Sequence, residues 1–213
     1  MRARWALLVA PAVAFVVYRL VLRKRSFGWG ATRSEAEAWL PGDDLLQDAD
    51  VVSTRATSID TAPADIWPWL VQMGPRERGG AYTYDWIENL LGLDMHSADE
   101  ILPDLQQLEV GDALFGKDGE AMRAAVVEPE RALVFRADDG NWVWAFVLEP
   151  EREGRTRLIS RNRFRSKAMP LPMRIVWNLV IDPGSLVMER KMLRGIKERA
   201  ERLAAERAAA APV

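Results

Sequence analysis

Apolar and polar positions alternate with a period of two through much of residues 110–165, the signature of strands with one buried face. Five strands are predicted there, at 110–115, 121–128, 131–137, 141–149 and 155–165. Turn chemistry separates them: Gly116–Gly119, Pro129-Glu130, Asp138–Gly140 and Pro150–Gly154. Connections this short predict an antiparallel meander. Upstream, residues 50–60 are rich in β-branched side chains and predict one more strand. Two helical stretches follow it, 63–73 and 84–91. The first opens on Pro63 and stops at Gly74, and Pro68 is expected to kink it or delay its start. The second ends at Gly92.

After the strands, residues 170–181 are apolar and broken by Pro170 and Pro172. Asp182-Pro183 is the expected cap of a long helix running to about Ala208. Its apolar stripe is Met188, Met192, Leu193, Ile196, Ala200 and Leu203, with Glu198 and Arg202 as an i,i+4 pair outside. The Ala-rich tail over 204–212 is expected to fray. The order predicts an α+β fold: a curved antiparallel sheet around a long C-terminal helix, which buries its stripe on the sheet. A sheet wrapped around one helix leaves a space between them, the natural ligand cavity.

The amino terminus has a different pattern. Trp5 to Tyr18 carry no charge, Arg19 interrupts, and Leu20-Val21-Leu22 resume. These 18 residues make a helix of about 27 Å, against a hydrocarbon core of about 30 Å. A cleaved signal peptide with its site at Ala12-Val13-Ala14, an interfacial helix and a single anchoring helix all compete; the anchor, a transmembrane helix, is the reading adopted. Trp5, Tyr18, Arg19, Arg23, Lys24 and Arg25 are its expected membrane-facing residues. Basic residues on its carboxyl side outnumber Arg2 and Arg4, which places the rest of the chain in the cytoplasm. The expected organisation is an anchor over 1–25, a linker over 26–47 with a short helix capped by Ser34, the domain over 48–208 and a frayed tail over 209–213.

Composition narrows the chemistry. The 213 residues suffice for one domain plus appendages. At 49% hydrophobic and 28% charged, the chain is neither disordered nor a multi-span membrane protein. The absence of Cys excludes a disulfide scaffold, an iron–sulfur or Cys-zinc site and thiol catalysis. A single His leaves only His96 for a Ser-His mechanism. The net charge of −2 argues against a general nucleic-acid partner. No cofactor and no metal is expected: Gly79-Gly80 lacks a phosphate-loop continuation, and Asp43-Asp44 and Asp138-Asp139 stand isolated in turns.

The segments TRATSIDTAPADIWPWLVQMG (54–74), YDWIENLLGLDMHSADEILPDLQ (84–106), GRTRLISRNRF (154–164) and DPGSLVMERKMLRGIKERAE (182–201) carry a resemblance. Over residues 30–203 the chain resembles the START-like or polyketide cyclase/dehydrase-like (SRPBCC, birch-pollen-allergen-like) superfamily. The first segment matches that superfamily's opening strand, Ala-Pro turn and Trp-containing helix; the others look like a poorly characterised bacterial, membrane-anchored subgroup. The resemblance implies the helix-grip fold and a hydrophobic pocket. It implies no reaction, because the superfamily holds carriers, cyclases, receptors and chaperone co-factors, with no shared catalytic residue.

The strand at 141–149 puts Trp142, Trp144, Phe146 and Leu148 on one face, as a pocket wall or as plain core. In the strand at 155–165, Arg155, Arg157, Arg161, Arg163 and Arg165 share a face with Ile159. Five arginines are too costly to desolvate in a cavity, so this face is expected toward solvent or lipid headgroups, paired with Glu128, Glu130 and Glu149. Ser160 and Asn162 then become polar groups inside the pocket. Arg55 is expected at the cavity mouth on a ligand carboxylate or phosphate, or else bridged to Asp85 or Glu88, which share a helix face. His96 is a candidate general base, with Tyr82 or Tyr84 as polarising donor and Trp86 nearby as a ligand contact. Alternatively, His96 caps a helix beginning near Ser97-Ala98-Asp99, where Ser97 followed by Glu100 has the capping-box pattern.

Three functions fit these readings. The first is a membrane-anchored binding protein for a hydrophobic small molecule or lipid. The second is a polyketide cyclase/dehydratase-like enzyme using His96, Tyr82 and Tyr84. The third is an interaction module at the membrane, docking an unspecified protein through the arginine face or residues 170–181.

Overall fold

The computed structural model describes residues 23–116 and 121–210, so the transmembrane helix expected over the first 25 residues lies almost wholly outside the described part. Among the described residues no helix is long and apolar enough to cross a membrane. In chain order the elements are α1 (Arg23–Phe27), α2 (Arg33–Glu37), β1 (Val51–Ile59), α3 (Pro63–Val71), α4 (Asp85–Leu90), β2 (Ala113–Phe115), β3 (Met122–Glu128), β4 (Ala132–Ala137), β5 (Trp142–Pro150), β6 (Thr156–Phe164), α5 (Leu171–Val176) and α6 (Asp182–Ala210).

The six strands form one sheet in the order β1-β6-β5-β4-β3-β2, every pairing antiparallel. Consecutive strands β2 to β6 are the expected meander, and β1 joins it beside β6. Register shifts at Ala113/Phe115 and Ala124/Val126 add local twist, which bends that end of the sheet. The long α6 lies against α3 and β1. This is the helix-grip arrangement.

Alternation decides what is buried. On the inner face Phe146, Leu148, Leu158, Leu133 and Phe135 pack with Leu193, Ile196 and Ala200 of α6 and with Trp69 and Leu70 of α3. Gly195 lets α6 approach closely: a Cβ there would lie 2.6 Å from the Tyr82 carbonyl oxygen. The outer face is also covered. Leu40 packs with Ala56, Val147 and Ile159, while Leu46 packs with Val134, Val143 and Ala145. The stretch expected as a linker is therefore a second layer on the sheet.

This cover corrects the reading of the arginines. Arg157, Arg161 and Arg163 do share the outer face of β6, but the cover meets them there, and they pair with it rather than with Glu128, Glu130 or Glu149. Arg161 is 2% exposed. Its guanidinium donates to Asp43 Oδ2 at 2.6 Å and to the carbonyls of Glu35, Ala36 and Ala38, and its Nε donates to Thr54 Oγ1. Arg163 reaches the other Asp43 oxygen at 3.1 Å. Arg157 bridges Glu35, and Arg165 pairs with Asp48 at the rim. Periodicity assigns a strand face but is silent on what covers it, and three carbonyls plus a shared carboxylate remove the desolvation objection.

Other boundaries shift for local reasons. The cap of α2 is Thr32, not Ser34: Thr32 Oγ1 accepts from Glu35 N, and Thr32 N donates to Glu35 Oε2 at 2.6 Å, a complete capping box. No helix follows His96, because Ser97 spends its hydroxyl on Asp85 Oδ1 at 2.6 Å and on Tyr82 N. Asp182 does not start a helix either. α5 runs through a π turn, Trp177–Ile181, straight into α6, and Asp182 is buried and bound to Arg23 at 2.7 Å. The Ala-rich end stays helical to Ala210. On it, Arg202 turns to the Asp99 carbonyl and to Glu206.

Asp43→Ala removes the shared carboxylate from two arginines that remain beneath the cover. Loss of one partner from a buried pair costs about 3–5 kcal/mol. The variant is expected to lose at least about 3 kcal/mol in a urea titration; a loss below about 1 kcal/mol would mean that the cover does not depend on this pair.

Candidate functional site

The inner face of the sheet changes character along its strands. Where Leu158 and Leu148 stand in one row beside the half-buried Thr57, the two leucines belong to filled core. The next inward row is Arg55, Ser160 and Phe146; then come Ser53, Asn162 and Trp144, and then Val51, Phe164 and Trp142. The last two rows border a cavity of about 580 Å³. On α6 the same transition occurs between Ile196, which is core, and Met188, which lines the cavity.

One wall is aromatic. The Trp142 ring stacks on Trp144 at 5.9 Å and on Phe164 at 5.2 Å, and Phe115 lies 6.1 Å from Trp142. Trp177, from the π turn, meets Phe164 edge-on at 4.4 Å and closes the wall. Both strand indoles are fixed by hydrogen bonds: Trp142 Nε1 donates to Asn162 Oδ1 at 2.9 Å, and Trp144 Nε1 to Ser160 Oγ at 3.0 Å. Phe146 is fully buried core behind Trp144, and Ser160 lies behind the lining.

A polar network crosses the cavity wall from sheet to helix. Arg55 is fully buried; its Nη1 donates to Glu189 Oε2, its Nη2 to Ser185 Oγ at 2.9 Å and its Nε to the Ser26 carbonyl at 3.0 Å. The other Glu189 oxygen accepts from Ser160 Oγ at 2.6 Å and Asn162 Nδ2 at 3.3 Å. Burial pushes the Glu189 carboxyl up, and Arg55, Ser160 and Asn162 pull it back. Arg55 lines the cavity, as one sequence option has it, while its charge is met by Glu189 and not by Asp85 or Glu88, the other option; Nε, Nη1 and Nη2 each donate one hydrogen bond within the protein.

A second carboxyl faces the cavity from α4. Glu88 is 8% exposed and lines it beside Thr83. Glu88 Oε2 and Thr83 Oγ1 are both buried without a hydrogen-bond partner among the described residues. Burial raises the Glu88 pKa; the nearby Thr83 hydroxyl lowers it and the Asp85 carboxylate raises it again. Asp85 itself is engaged with Ser97 N and Oγ.

The catalytic candidates do not meet in the cavity. The His96 ring stands outside, 62% exposed, with Nε2 2.9 Å from Asp94 Oδ1. Tyr82 is buried, and its hydroxyl donates to the Trp69 carbonyl at 2.9 Å. Tyr84 and Trp86 are exposed. Tyr82 sits at φ 58° between Ala81 and Thr83, which line the cavity, while Tyr84 and Trp86 face outward, a divergence that sequence proximity alone does not convey. Of the membrane candidates, Trp5, Tyr18 and Arg19 lie outside the described residues; Arg25 is exposed, and Arg23 is tied to Asp182. Asp43 is held by its arginines, and among the described residues no acidic or His group is arranged to hold a metal ion.

Glu189 escaped the sequence reading although a signal existed. It lies four residues before Leu193 and four after Ser185, on the apolar stripe itself, where an acid needs a buried partner. The roles of Thr83 and Trp177 had no such signal.

Comparison with known proteins gives remote likenesses. No family model matches the chain, and no curated protein matches it. Among solved structures, the KanY protein has a TM-score of 0.45 at 13% identity, over 71% of this chain and 97% of that one. Protein MLL2253 from Mesorhizobium loti has 0.39 at 15%, over 71% and 98%. The Polyketide_cyc-like protein Cgl2372 from Corynebacterium glutamicum has 0.33 at 18%, over 72% and 87%. The helix-grip assignment rests on this chain's own strand order and terminal helix.

Burial raises the folded-state pKa of Glu88, so its neutral form is favoured on folding. That stability is fully present below the unfolded pKa and is lost as pH rises through the folded one. Wild type is therefore expected to lose stability relative to Glu88→Gln between mildly acidic and mildly alkaline buffer. Parallel pH curves from urea titrations would show that Glu88 ionises in water.

Proposed function

We propose that the chain binds a hydrophobic small molecule or lipid between the sheet and the terminal helix. The observation that carries this reading is the cavity of about 580 Å³ with its wall of Trp142, Trp144, Phe164 and Trp177. Small-molecule sites are concave, mostly apolar and pre-formed, with a few placed polar groups, at about 300–1,000 Å³. The hydrogen bonds on the two strand indoles hold those rings in place, so little side-chain entropy is left to lose on binding. A cyclase-like enzyme built on His96 has no support, because that imidazole stands on the outer surface.

Met188→Trp places an indole in the cavity from α6. Native mass spectrometry of the full chain, extracted with its native lipid, is expected to show a co-purifying apolar species in wild type and to lose it in the variant. An unliganded mass in wild type, with no fatty-acid uptake by fluorescence, would overturn the reading.

The reading includes a location at a membrane, through residues 1–25. Two features support it. Leu171, Ile175, Leu179 and Val180 are each at least half exposed on the segment that closes the cavity. Arg23, where the described chain begins, is bound to Asp182 at the end of that same segment. An exposed apolar face of this size marks a membrane or protein contact. The full chain is expected to float with liposomes, a chain starting at Arg23 to lose most of that association, and Val176→Asp with Val180→Asp to weaken the remainder. Recovery of the full chain in the soluble fraction would overturn the anchor.

A further inference from the structure

We propose that Glu88 and Thr83 form a subsite for a hydroxyl group, so that the ligand is a flat apolar molecule bearing an alcohol or phenol. This rests on the cavity reading and adds the polar part of the ligand. Both side chains line the cavity, and each has a buried oxygen with no partner among the described residues. A buried polar atom left without a hydrogen bond costs about 1–3 kcal/mol; the Thr83 hydroxyl is near enough to act on the Glu88 carboxyl yet the two close no hydrogen bond with each other, so a group seated between them completes both. Among the other polar groups of the cavity, Arg55, Glu189, Asn162 and Ser185 are joined to each other or to the indoles and backbone, whereas Trp177 Nε1 is a further buried donor without a partner among the described residues, on the aromatic wall rather than beside Glu88.

The chemistry selects a hydroxyl. Thr83 Oγ1 can donate and accept, and Glu88 carries acceptor oxygens and, when protonated, one donor. A hydroxyl also donates once and accepts, so one such group can bond both residues together. An ammonium would instead demand an ionised Glu88, which burial, the largest influence on that carboxyl, disfavours against the smaller opposing pull of the Thr83 hydroxyl. The stacked indoles supply flat faces for a ring system.

The test uses the full chain and three probes of one shape: 1-hydroxypyrene, 1-methylpyrene and 1-pyrenemethylamine, followed by quenching of tryptophan emission. Wild type is expected to bind the hydroxyl probe about tenfold more tightly than the methyl probe, the ratio one well-made hydrogen bond provides. Thr83→Val with Glu88→Leu is expected to erase that preference, with methyl-probe affinity kept or improved; retained methyl binding also reports that the variant folds. Equal binding of the hydroxyl and methyl probes by wild type would overturn the subsite and leave the cavity reading standing. Tightest binding of the amine would overturn the hydroxyl assignment in favour of a charged Glu88. Binding of none of the three would overturn both the subsite and the cavity reading. If the double variant fails to fold, the wild-type ranking alone decides, and Thr83→Val by itself is expected to reduce the preference.

Discussion

The buried pair between Arg55 on β1 and Glu189 on α6 is the constraint on which the cavity depends. At the other end of α6, Ile196 and Ala200 pack directly against sheet residues, and no space remains. Toward its amino-terminal end, Ser185, Met188 and Glu189 of the helix line the cavity instead. A guanidinium on a long stem reaches from β1 along the cavity wall and meets a buried carboxylate on α6. Set against a well-packed apolar replacement, a buried pair of this kind contributes little net stability. Its effect here is to tie the two elements in fixed register across the cavity wall, with Ser26, Ser160, Asn162 and Ser185 sharing the hydrogen bonding of the two charges.

The opposite face of the sheet uses the same residue type for a different purpose. Arg161 draws the end of α2 and Asp43 onto the strands by satisfying all five of its donor hydrogens within the protein. That layer shields Val143, Ala145, Val147 and Ile159, which would otherwise be an apolar face in water. The sheet is therefore buried on both sides while one side retains a cavity. Support from the cover keeps the strands from collapsing into it, because inward movement of β5 or β6 would break ties behind them.

Much of the architecture was legible from periodicity. The strand sequence, the meander, the terminal helix and the inward set of Trp142, Trp144, Phe164, Ser160 and Asn162 all follow from alternation and spacing. What the chain could not disclose was long-range pairing. Arg55 and Glu189 are 134 positions apart, and Arg161 and Asp43 are 118 apart, so no local pattern links them. The reading of the arginines as solvent-facing applied a sound desolvation rule to a face whose covering layer was invisible in one dimension. His96, Tyr82, Tyr84 and Trp86 failed as a cluster for a related reason: neighbours along a loop need not share a direction.

The π turn at Trp177–Ile181 has a geometric consequence. Such a turn holds about one residue more than an α turn. One α-helical residue corresponds to about 100° of rotation about the axis. Removing a single residue between 177 and 181 would therefore swing α5 through roughly that angle relative to α6 and carry the Trp177 indole off Phe164. The extra residue acts as a phase adjuster: it aims one ring inward while the helix continues unbroken, so the last panel of the aromatic wall is encoded in a residue count as much as in any side chain.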